Sequence, residues 1–210
     1  FSFPKLYHGI IRKSVLEKIK QETGTYLKGL SPDIYSAISL ACHVNKLIVI
    51  DYPLSIPGVC GQSTSITEGQ LKKHSKKLED APHFRDRGDY QWSKEVPKIY
   101  CVQTIWADSG FAALREMKRT DLIEKFDKYM LYANIINADP TLSTLVNEHI
   151  LQNDIQENDF DKTKFSISKL KVKMKEFMIR GSRRGKLILK LKELRNITSL
   201  PDIHHAMNAL

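Results

Sequence analysis

Asp33 lies in "GLSPDIYSAISLA", where a glycine-marked loop becomes a helix. A carboxylate at that point has two readings. It can simply start the helix, since a negative charge in the first turn meets the macrodipole favourably, for ~0.3–1 kcal/mol. It can also stand at the rim of a site and take a proton from a substrate hydroxyl. Arg85 and Arg87 of "HFRDR" can each offer bidentate N–H donors to a diphosphate, or pair locally with Asp86 and Asp89. Tyr90 and Trp92 offer ring faces for a sugar, or anchors for a loop. Gly29 and Gly58 suit turns that need positive φ. The one Asp-x-Asp spacing, Asp159 to Asp161 in "DFD", falls in a polar stretch and reads as solvated linker.

These residues hang on a recognisable succession of elements. "SVLEKIKQETG" is a helix with Ser14 as N-cap, Val15, Leu16 and Ile19 as its apolar stripe, and Gly24 past its end. "SPDIYSAISLACHV" is a second helix, with Ser31 as N-cap, Pro32 in the first turn and Ile34, Ile38 and Ala41 on one face. "KLIVIDYPL" reads as a strand, its "LIVI" buried and its end set by Pro53. Residues 55–97 read as irregular, with one short helix over 68–78, and so long a loop inside a domain is usually functional. From Thr104 the pattern is helical: "TIWADSGFAALREMK" with Trp106 in the core, "DLIEKFDKYMLYANIIN", and "TLSTLVNEHILQ" after Pro140. A polar linker, "NDIQENDFDKT", leads to the basic amphipathic helix "SISKLKVKMKEFMI". "RGSRRG" interrupts that helix and "KLILKLKELR" resumes it.

The 210 residues suit one domain or a domain with an appendage. No apolar run approaches the ~20 residues that cross a bilayer, and the start carries no signal-peptide pattern. Cys42, Cys60 and Cys101 are isolated, which disfavours a zinc site or disulfide framework and points to a reducing cytoplasm. The net charge of +9 is concentrated. Residues 162–195 hold thirteen Lys and Arg against two acids, so +11 there leaves −2 elsewhere.

"PKLYHGIIRKSVLEKI" and "GLSPDIYSAISLA", then "YPLSIPGVCGQSTS", "HSKKLEDAPHFRDR" and "VQTIWADSGFAALREM" together resemble the second half of a bacterial family 2 glycosyltransferase, over Pro4 to Met117. The resemblance implies an α/β, GT-A-like partial domain, α-rich with a few strands. Residues 1–118 would be its acceptor-side half and 119–210 a helical, basic extension. It implies sugar transfer, with inversion, from a nucleotide-sugar donor to a surface glycan or lipid-linked acceptor. Asp33 stands where the family places its catalytic base. His8 lies near the acceptor half's first strand, and the alternative for it is a histidine at the core edge. His8, Gly29, Arg85 and Arg87 are the substrate-binding candidates. His74 lies where many such enzymes carry a late metal-binding histidine, and His83 has a weaker claim of the same kind. The divalent metal, Mn²⁺ or Mg²⁺, belongs mainly to a nucleotide-binding half that would precede Phe1, so the chain by itself is expected to be inactive.

The basic tail has its own readings. Ile167, Leu170, Met174 and Phe177 form an apolar stripe beside many lysines. That suits the inner face of an anionic membrane. Nucleic acid is the disfavoured partner, and a solvated helix packed on its own domain is the bland alternative. A non-catalytic basic module, binding membrane or nucleic acid, is therefore the rival to the transferase.

Overall fold

The computed structural model describes residues 4, 6, 7, 9–49, 78, 90–155 and 160–188, with side chains of the last helix to 182. The described residues form helices, turns and irregular segments, with no strand among them. The architecture is all-α, which overturns the α/β, GT-A-like expectation. The decisive segment is "LIVI". Leu47, Ile48 and Val49 are exposed and belong to no helix or strand among the described residues, and Ile50 lies outside them. A four-residue apolar run cannot reveal its own partner, and the described residues offer it no sheet to join.

Phe1–Lys169 form one compact unit and Leu170–Leu210 a second. The first unit opens with α1, Lys13–Thr23, which ends at Gly24 with φ 78°. Val15, Leu16 and Ile19 give it the expected inward stripe. Its N-cap is Arg12 rather than Ser14, so the cap lacks a side-chain hydrogen bond. Helix α2, Pro32–His43, starts at Ser31 as expected and packs against α1. Its buried face is Tyr35, Ser36, Ser39 and Leu40, with Ile34 and Ile38 half-buried and Ala41 exposed. Small hydroxyl side chains on that face let a neighbouring backbone approach.

That neighbour is α3, Val102–Glu116. Thr104 and Cys101 form a reciprocal cap at its start. A Cβ at Gly110 would stand 3.1 Å from Ile38 Cδ1, so the glycine is what admits α2. Trp106 is exposed, not core, because the inward face of α3 passes through Thr104, Ile105, Asp108 and Phe111 instead. Asp108 is fully buried. Its carboxyl oxygens accept from Tyr90 Oη at 2.5 Å and from the Ser93 amide at 2.8 Å. Arg115, from the same helix, donates to Ser93 Oγ and to Glu95. Trp92 closes this loop on itself by donating Nε1–H to the Val96 carbonyl at 2.7 Å. Tyr90 and Trp92 thus serve as loop anchors.

Beyond α3 the single helix expected over 121–137 is two: α4, Thr120–Ile123, and α5, Lys128–Ala138. Asp127 makes the break, since its side chain caps α5 by accepting from the Met130 amide. A 3₁₀ turn at Pro140–Leu142, α6 at Ser143–His149 and a π turn at Ile150–Ile155 follow. Val96, Ile99, Phe111, Tyr132, Ile135 and Val146 share one core with them. Helix α7, Lys162–Ile188, is capped by Asp161, whose side chain accepts from the Lys164 amide, and places Phe165 in that core. The helix runs unbroken through "RGSRRG". Each glycine costs ~1 kcal/mol against alanine, too little to stop a helix flanked by strong formers.

The π turn carries a second polar knot. Asp154 is buried and accepts from Lys128 Nζ at 3.0 Å and from Tyr132 Oη at 3.0 Å. His149 lies beside Tyr132, ring edge to face, and burial pushes its imidazole below the ordinary range, while Asp154 pulls less strongly the other way. Cys42 and Cys101 are free thiols, and burial raises both above the usual range.

Two outcomes follow. Asp108→Ala removes the carboxylate that the buried Ser93 amide and the Tyr90 hydroxyl donate to and should cost about 1–3 kcal/mol in urea unfolding. Arg115→Ala, at an exposed pair, should cost less than about 1 kcal/mol. The second outcome concerns pH. A histidine whose folded pKa is depressed contributes stability above its unfolded value, and that stability is lost as pH falls below it. The thermal midpoint should drop on acidification below about pH 6.5, and His149→Gln should flatten that part of the curve. An unchanged slope in the variant would assign the drop to other groups.

Candidate functional site

The site is the entry to α2, and backbone geometry builds it. Gly29 has φ 74°, a left-handed conformation that side chains disfavour. A Cβ there would also meet Ser109 Cβ and Oγ at 3.3 Å. The turn therefore lies directly on α3. Two residues later the Ser31 amide donates to Ser109 Oγ at 2.8 Å, which pins the N-cap to the same helix. Lys28, just before the turn, pairs with Glu116 at the other end of α3.

Asp33 follows in the first turn of α2 and is exposed. Ser31 does not cap the helix with its side chain. Its hydroxyl instead donates to Asp33 Oδ1. The second carboxyl oxygen, Oδ2, has no hydrogen bond among the described residues. The result is a solvent-facing carboxylate with one oxygen oriented and the other open, on a turn fixed from beneath by Ser109. Chemically, such a group can accept a proton from a hydroxyl placed against it.

Of the other candidates, Gly29 is brought beside Asp33 and its place is explained by the turn. His8, His74, His83, Arg85 and Arg87 lie outside the described residues, as do Cys60 and Asp159 of "DFD". Asp161 of that motif is the α7 cap. Among the described residues no group of three or more His, Cys, Asp or Glu side chains could hold a metal ion.

Ser109 and Asp108 were not singled out from the sequence. Their signal was present: "ADSG" puts polar side chains at positions whose 3.6-residue period faces the core, where a buried polar group must have a partner. No protein-family model, no curated protein and no solved structure matches the chain. The likeness to glycosyltransferases rests on the sequence stretches themselves.

Gly29→Ala combines an unfavourable φ with contact against Ser109 and should destabilise by about 1–2 kcal/mol or more. Gly24→Ala carries a similar φ with nothing within 4 Å of the new Cβ, so it should cost less. Denaturant midpoints of the two variants test the order. Equal losses would mean that Gly29 is held only by its φ.

Proposed function

We propose that this chain is the acceptor-side part of a glycosyltransferase, with Asp33 as the base. The observation that carries the reading is the exposed carboxylate of Asp33, oriented by Ser31 on the turn locked to α3. The ordered likeness over Pro4 to Met117 supports the same assignment. In the reaction, Asp33 Oδ2 takes the proton of an acceptor hydroxyl as the oxygen attacks the anomeric carbon of a nucleotide sugar. The bond from that carbon to the diphosphate breaks, and its electron pair leaves with the nucleotide. Attack opposite the leaving group inverts the anomeric centre. The chain's contribution is positioning and proton removal. The nucleotide, and any divalent metal on its diphosphate, would be held by a nucleotide-binding half joined to or assembled with this one. Arg85 and Arg87 are the residues of this chain suited to reach that diphosphate.

The test is Asp33→Asn in the enzyme that contains both halves. Sugar transfer should fall on the order of 10²–10⁴-fold, with donor KM unchanged and stability lowered by no more than the ~0.3–1 kcal/mol of the helix-dipole interaction. A wild-type rate, or a loss matched by unfolding, would leave Asp33 as a helix-starting residue and remove the reading.

A further inference from the structure

The part of α7 that belongs to the second unit exposes a face that a solvated helix has no reason to carry. Leu170, Met174, Phe177 and Met178 are 59%, 54%, 78% and 61% exposed. At about 100° per residue these four fall within an arc of about 100°. Their spacing, i, i+4, i+7 and i+8, is that of a buried helical face, yet here it faces outward.

The charges are arranged around that arc. Lys171 and Lys175 border it on one side, Lys173 and Arg180 on the other, and all four are exposed. Over residues 170–182 the one acidic residue is Glu176. It falls on the opposite side of the helix and pairs with Arg180. Arg183, Arg184 and Lys186 extend the basic run in the sequence. A strip of large, flexible apolar side chains flanked by cations on both edges complements one kind of surface. That surface has an apolar interior beneath a negatively charged layer. A nucleic acid would use the cations and leave the apolar strip in water. A second copy of the helix would bring like charges together along both borders.

We propose that this face of α7 binds the surface of an anionic lipid bilayer, with the helix lying in the plane of the interface. Met174 and Phe177 insert among the acyl chains, and the lysines stay at headgroup level, their stems along the boundary. No helix among the described residues is long and apolar enough to span the bilayer, so the contact is peripheral. The assignment stands on this helix alone and does not depend on the role of Asp33.

The experiment is flotation of the full chain with vesicles of phosphatidylcholine, with and without phosphatidylglycerol, over a salt series. Binding to the anionic vesicles is expected, weakening with salt but retaining a salt-resistant part. Lys171, Lys173 and Lys175 changed together to Gln should lower partitioning at low salt on the order of 100-fold. Met174→Ser with Phe177→Ser should abolish the salt-resistant part while leaving the thermal midpoint unchanged, since both side chains are already exposed. Phe177→Trp provides a second reading that needs no loss of binding, a blue-shifted emission increment on vesicles relative to the parent chain. Three results would overturn the proposal. One is no binding to anionic vesicles by the parent chain. Another is equal binding by the parent and the Met174/Phe177 variant. The third is a concentration-dependent increase in mass, without vesicles, that the same variant removes. Binding to a DNA or RNA duplex in place of vesicles, collapsing with salt, would count with the first of these.

Discussion

Two neighbouring side chains of α3 hold the first unit's loops in register. Asp108 and Ser109 are both fully buried and point their oxygens at different partners. Asp108 takes the Ser93 amide and the Tyr90 phenol. Ser109 takes the amide of Ser31. The Ser93 amide lies in an irregular segment and the Ser31 amide stands at the N-cap of α2, where no helical carbonyl reaches it, so each leans on an acceptor built into the helix behind it. Burying an amide without a partner costs more than the made bond returns. The loops are therefore confined to the places where those oxygens are. Gly110 adds the steric half of the same arrangement, since α2 can approach only where α3 lacks a side chain.

The entry to α2 is a consequence of that confinement. Its orientation derives from a hydrogen bond to another helix, followed by a left-handed glycine, followed by a serine that turns its hydroxyl to the aspartate instead of to the helix. A carboxylate held this way differs from one on a freely fraying helix end. The second polar knot, around Asp154 at the π turn, is of another kind. Its oxygens are both engaged, by Lys128 and Tyr132, and it stabilises the junction of α5, α6 and the irregular turn without presenting a reactive group.

Local patterns in the sequence were good guides where structure is local. Ser31, Pro32 and Gly24 mark helix ends where the chain has them, because caps depend on a few adjacent residues. The stripe of α1 was legible for the same reason. Asp127 was not read as a break, although an aspartate three residues before Met130 is an ordinary cap. "LIVI" misled because hydrophobicity says that a segment would gain from burial and not whether a sheet exists to receive it. The α/β expectation came with the family likeness and not from the periodicity, which was helical over most of the chain. The site was half legible. Asp33 was visible by its place after Gly29 and Ser31. The support from Ser109, 78 residues beyond Ser31, could not be seen without the fold.

Two half-buried thiols give this architecture a chemical readout. Cys42 sits on α2 and Cys101 at the head of α3, and partial burial raises both above the usual thiol range. Thiolate is the species that attacks an alkylating reagent. Modification of either residue at neutral pH should therefore run slower in the folded chain than in the unfolded one. The degree of slowing at each thiol would report how closely each of the two helices that meet at Gly110 is held against its neighbours.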